Sequence, residues 1–236
     1  MKVEIWSDFV CPFCYIGKRR LEAALKQFPH REEVEIMYKS YELDPNAKPE
    51  SDEHIYEALA AKYGTSVEQV QQMTENVRHQ AAEAGLSFNF DNMKSANTFQ
   101  AHRLAKYARE QGKEKEMVER LLKAYFTDSM NVNDQAVLVE LAKEIGLHQE
   151  SVQDLFASNR FSEEVRADEN LARKLGVQGV PFFVINDKYA ISGAQPTEAF
   201  LNALQKVWEE ESQGPILKDL STDTASASCT DESCEM

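Results

Sequence analysis

An α/β protein with a large all-helical insertion and a flexible C-terminal tail is what the sequence predicts, on three observations. Strand, helix and strand patterns follow one another over residues 2–43. Helical periodicity without an interior proline then runs across more than a hundred residues. β patterning returns only at 181–192, followed by one last helix.

In chain order, residues 2–6 read as a short apolar strand ended by Ser7-Asp8, and 18–28 as a helix with Leu21, Ala24, Leu25 and Phe28 on one face. A second strand is expected at 34–43 and is closed by the turn residues Asp44-Pro45-Asn46. Ser51-Asp52-Glu53-His54 looks like a capped start for a helix carrying Ile55, Leu59 and Tyr63 on one side. Further helices are expected at 67–84, 97–111, 115–127, 135–145, 149–157 and 161–175. Pro181 to Ile185 and Tyr189 to Ser192 flank Asn186-Asp187 as a hairpin. The closing helix sets Phe200, Leu201, Leu204, Val207 and Trp208 in an apolar stripe and stops before Gly214-Pro215. Beyond it the Ser/Thr-rich stretch lacks apolar bulk, which predicts a flexible tail.

With 42% hydrophobic and 28% charged residues, the 236-residue chain can bury one sizeable core plus an elaboration. Its 26 Lys and Arg against 40 Asp and Glu leave a formal charge of −14, which speaks against a nucleic-acid groove or an anionic-membrane partner. The start of the chain shows no secretion-signal pattern and no apolar run approaches a membrane span, so the expected compartment is the cytoplasm.

The four cysteines fall in two close pairs at opposite ends, Cys11 with Cys14 and Cys229 with Cys234. In a reducing compartment such pairs are more often catalytic or metal-binding than structural. Cys11-Pro12-Phe13-Cys14 stands where a strand hands over to a helix, so Cys11 meets unpaired backbone N–H groups and the positive end of the helix dipole. A drop of one to two units from the free thiol value of about 8.5 would ionise much of Cys11 near neutral pH. Cys14, a turn further in, is expected to stay protonated, which makes Cys11 the attacker and Cys14 the resolver. Half of a zinc site is the competing reading, but the other cysteine pair lies in an acidic tail and no histidine is near either pair, so no metal is expected. Cys229 and Cys234 read either as an appendage without a task or as a secondary redox pair exchanging with Cys11 and Cys14. The flexible linker is long enough for them to reach the same domain.

Three motifs together, Cys11-Pro12-Phe13-Cys14, Gly176-Val177-Gln178-Gly179-Val180-Pro181-Phe182-Phe183 and Ile191-Ser192-Gly193-Ala194-Gln195-Pro196, resemble the DsbA-type thioredoxin superfamily. More narrowly, and with Asn97-Thr98-Phe99-Gln100-Ala101-His102-Arg103-Leu104 added, the chain is similar to the FrnE-like branch. Relatives of that branch include 2-hydroxychromene-2-carboxylate isomerases and kappa-class glutathione transferases. The resemblance covers about residues 1–212 and implies a thioredoxin fold interrupted by a helical domain. The thioredoxin-like part would comprise 1–46 and 176–212, the insertion 47–175 and the tail 213–236.

The resemblance further implies a cis Val180-Pro181 peptide facing Cys11, with Val180, Pro181, Pro12 and Phe13 forming the substrate-binding surface. It also places the helix bearing Asn97 and His102 near the cleft, where the two would help to shape it. Phe13 cannot stabilise a thiolate as a cation would, so Cys11 should be less acidified than in the most oxidising DsbA-type sites. The expected activity is that of a thiol–disulfide oxidoreductase or isomerase acting on a disulfide- or dithiol-containing protein or small thiol. No tightly bound cofactor is expected, and glutathione is a candidate reductant. A glutathione-dependent isomerase or transferase of the same fold is the alternative enzyme, disfavoured because a resolving Cys14 would expel bound glutathione. A metal-holding binding module is the alternative outside catalysis.

Overall fold

The structure is a computed structural model and describes residues 1–48 and 52–212. The predicted tail, with Cys229 and Cys234, lies outside the described residues, as does Ser51 of the predicted cap.

Four strands form one mixed sheet in the order β2-β1-β3-β4. The central strand β1 (Lys2–Ser7) runs parallel to β2 (Glu35–Ser40), from Lys2 opposite Glu35 to Ser7 opposite Ser40. On its other side β1 pairs antiparallel with β3 (Phe182–Ile185), Trp6 standing opposite Phe182. β3 turns back into β4 (Tyr189–Ser192) through Asn186 and Asp187, both at positive φ as a tight hairpin turn requires. This is the sheet expected of a thioredoxin fold.

Alternation along β1 sorts its side chains between two layers. Val3 and Ile5 join Leu21 and Ala24 of α1 (Pro12–Gln27), its C-cap Phe28, and Phe200, Leu204 and Val207 of α9 (Thr197–Ser212) in one core. Trp6 points the other way, onto Ala172 of α8 (Ser162–Lys174), and its indole N–H donates to the Asp168 carbonyl at 2.9 Å.

Between β2 and β3 come α2 (Ile55–Tyr63), α3 (Val67–Glu83), α4 (Phe99–Glu110), α5 (Glu114–Phe126), α6 (Gln135–Glu144), α7 (Gln149–Ala157) and α8. The expected helical segment is present, and its apolar core takes in Phe9, Tyr15 and Ile16 from the start of α1. Within the stretch expected as a capped start, His54 caps α2, its ring nitrogen accepting the Tyr56 N–H.

Two helix starts differ from expectation. α1 begins at Pro12, inside the cysteine motif, with Cys11 as its N-cap. Residues 14–18 are all buried and so show no helical stripe, and Gly17 reads as a break. Gly17 is instead a close-contact position, where a Cβ would stand 3.1 Å from Pro181 Cγ and 3.3 Å from Phe183 Cζ. α4 begins at Phe99, so Asn97 precedes it; its side-chain oxygen accepts the Phe99 N–H at 3.0 Å.

Candidate active site

The loop from β1 to α1 brings the two cysteines together. Asp8 closes it, its carbonyl accepting the Cys11 N–H at 3.2 Å, and the Cys11 carbonyl accepts the Cys14 N–H at 3.1 Å as the first turn forms. Pro12 at the first helical position has no N–H to leave unpaired there. Cys11 therefore sits at the positive end of a 16-residue helix.

Both cysteines are buried, Cys11 at 4% and Cys14 at 3% exposure, and the Cys14 Sγ accepts the Asp8 N–H at 3.4 Å. Burial above all, then the hydrogen bond and charge of Cys11, push its thiol well above the ordinary range, against the lowering effect of contacts to Ser7 and Asp8. The sequence expectation of a protonated Cys14 thus acquires a physical cause, while both cysteines are free thiols here.

Across the cleft the Val180-Pro181 peptide bond is cis, and Cys11 Sγ lies 3.4 Å from the Val180 carbonyl oxygen. Phe13 is exposed at 38% and Pro12 and Val180 are half-buried, whereas Pro181 is buried. The structure brings Cys11, Cys14, Val180 and Pro181 to one place, with Pro12 and Phe13 on the adjoining helix turn.

Asn97 and His102, expected on one helix near the cleft, separate. Asn97 donates to the Ala47 carbonyl at 3.1 Å and so ties the segment after β2 to the start of α4. His102 is 3% exposed, packs on Phe9 with ring centroids 4.8 Å apart, and faces Asp8, whose Oδ1 is 3.4 Å from its Nε2. Asp8 is 1% exposed, and its Oδ2 accepts the Leu43 N–H at 2.7 Å.

Sequence reasoning read Ser7 and Asp8 only as strand terminators and missed Glu42, Glu119 and Arg166. An acidic residue three positions before the first cysteine of the pair was the available signal. Glu119 of α5 accepts from Lys18 at 2.5 Å, from Tyr15 at 2.7 Å and from Arg19, clamping the first turns of α1 to the helical segment. Among the described residues no group of three or more His, Cys, Asp or Glu is placed to hold a metal ion, and no helix is long and apolar enough to cross a membrane.

The model of the DsbA-like thioredoxin domain family matches residues 2–205. The chain belongs to this family. The DsbA-like chain is 43% identical to a probable DsbA oxidoreductase, SCO1869 of Streptomyces coelicolor, over 93% of its own length and 94% of that chain, with a TM-score of 0.86. It is 28% identical to the uncharacterized protein YwbO of Bacillus subtilis over 204 residues, 86% of this chain and 94% of that one. The fold is also shared, at 15% identity and a TM-score of 0.65, with the cytosolic disulfide reductase DsbM of Pseudomonas aeruginosa, covering 89% of this chain and 100% of that one. Family and neighbours support an oxidoreductase or isomerase of the DsbA type.

Proposed function

We propose that the protein is a thiol–disulfide oxidoreductase or isomerase of the FrnE-like branch, with Cys11 the nucleophile and Cys14 the resolving thiol. The observation that carries this reading is the asymmetry of the pair. Cys11 caps a helix and faces Val180 across the cis turn, while Cys14, a turn further in, has its acidity suppressed.

In the forward direction the Cys11 thiolate attacks one sulfur of a substrate disulfide and the other leaves as a thiolate. Cys14 then loses its proton and attacks Cys11. The Cys11–substrate bond breaks, the second substrate sulfur leaves, and two electrons have passed from the protein to the substrate. Reversal oxidises a dithiol, and release before Cys14 acts isomerises a disulfide. Val180, Pro181, Pro12 and Phe13 form the substrate surface in this account, with the exposed Phe13 ring offering apolar contact to a protein or small-molecule disulfide. Glutathione serves as the reductant and the cytoplasm is the compartment. Residues 1–46 and 176–212 form the thioredoxin-like domain around the insertion at 47–175. A second exchange with Cys229 and Cys234 completes the proposed relay.

Trapping tests the assignment. Cys14→Ser incubated with a disulfide-bonded protein accumulates mixed disulfides at Cys11, and Cys11→Ser accumulates none. Equal trapping by both variants would reverse or remove the assignment.

A further inference from the structure

Resolution of a mixed disulfide requires Cys14 to give up a proton, yet its sulfur is 3% exposed and its acidity is suppressed by burial. The groups in contact with it are Cys11, the Asp8 backbone N–H and the Ser7 side chain. Ser7 and His102 both line one cavity between the sheet and the helical segment.

The side chain of His102 faces Asp8 there. Its Nε2 and the Asp8 Oδ1 face each other at 3.4 Å, both atoms are buried, and neither has a hydrogen-bond partner among the described residues. A buried carboxylate oxygen and a buried imidazole nitrogen left unsatisfied at that separation are costly, and a proton on the imidazole would relieve both. Glu42, after β2, lies close enough to interact with His102 and is itself paired with Arg166, which also holds Glu169 of α8. Across the cavity Lys106 of α4 and Lys39 of β2 are both engaged by Asp168, Lys39 also by Glu4 at 3.1 Å, and Glu114 of α5 accepts the Tyr38 N–H.

We propose that His102, backed by Asp8, receives by way of Ser7 and the cavity the proton that Cys14 releases as it resolves a Cys11 mixed disulfide. The inference rests on the oxidoreductase reading above. In the step, the Cys14 S–H bond breaks and neutral His102 becomes imidazolium. The Cys14–Cys11 bond forms, the Cys11–substrate bond breaks, and the substrate thiolate takes its proton from solvent. His102 touches none of the reacting sulfurs; it is a positioning residue for the proton.

The test uses the reduced full-length protein with Cys229→Ser and Cys234→Ser in the background of every form compared, so that only Cys11 and Cys14 react, and 5,5′-dithiobis(2-nitrobenzoate), followed by stopped-flow absorbance. The first equivalent of thionitrobenzoate reports attack by Cys11 and the second reports resolution by Cys14. The second-phase rate of the wild-type protein should rise with pH and then level off below the range of a buried thiol. Asp8→Asn, which keeps an acceptor for Leu43, should move that midpoint to lower pH, because the imidazolium loses its carboxylate. His102→Gln should slow the second phase relative to the first at least about tenfold and remove the plateau. A wild-type second phase that climbs about tenfold per pH unit from 6 to 9 without levelling, or an Asp8→Asn profile that matches the wild type, would overturn the inference even if His102→Gln does not fold. Failure of the wild type to release a second equivalent would remove the oxidoreductase reading and the inference with it.

Discussion

The sulfur of Cys11 and the carbonyl oxygen of Val180 stand 3.4 Å apart although 169 positions separate them in the chain. That approach is made by the pairing of β1 with β3, which sets Trp6 opposite Phe182 and so brings the ends of both strands, and the loops beyond them, to one edge of the sheet. Helix-capping cysteine and proline turn therefore form one cleft because the sheet register leaves them no other place.

The difference in environment between the two cysteines predicts a difference in reactivity. With limiting iodoacetamide at pH 7, Cys11 of the reduced protein should be alkylated at least about tenfold faster than Cys14, which should react only on unfolding. Peptide mass mapping over time reads the ratio, and comparable rates would remove the assigned asymmetry.

Glu119 carries a pH prediction. Burial opposes its ionisation, but the hydrogen bonds from Arg19 and Lys18 outweigh burial and hold its carboxyl down to about 2, from an ordinary 4.5. A carboxyl whose folded value is depressed contributes stability above the unfolded value and loses it as pH falls through the folded one. The contribution is thus full above about pH 5 and fades between 4.5 and 2. With one-third of the side chain exposed, solvent screening reduces it to about 1–2 kcal/mol. Glu119→Gln should lower stability to urea by that amount at pH 7, and the gap from the wild type should narrow as pH is lowered from 5 toward 3. A gap that stays constant would place the effect in packing.

Gly17 predicts a packing cost. Its missing Cβ leaves 3.1 Å to Pro181 Cγ and 3.4 Å to Ala194 Cβ. Gly17→Val gains up to about 1 kcal/mol of helix propensity but forces α1 away from the proline turn, at about 1–3 kcal/mol. Net destabilisation and slower disulfide exchange are expected together, measured by urea unfolding and by reduction of a test disulfide. A stable variant with unchanged exchange would show that the contact is slack.

Much of this arrangement is legible in the residues. The hairpin around Asn186-Asp187 and the apolar stripe of α9 carry periodicities that burial imposes on any sequence of that shape, and the structure places both where the pattern does. The start of α1 is not legible, because a turn buried almost all round has no polar face to betray its period. Nor are the contacts of Glu119 with Lys18 and of His102 with Asp8, which join elements far apart in sequence through single polar atoms. Asn97 shows the same limit from the other side. Its spacing to His102 suggested one helix face, but an Asx side chain bonding the N–H two residues on belongs at a helix start.

The central claim, that Cys11 and Cys14 form one redox couple, is tested most directly by mass-spectrometric thiol mapping after equilibration across a series of glutathione buffers. The account predicts a Cys11–Cys14 disulfide that titrates with two electrons, at a potential whose displacement by about 30 mV is worth about 1.4 kcal/mol in either direction. A persistent glutathione adduct on Cys11 with no intramolecular disulfide at any buffer ratio would contradict it.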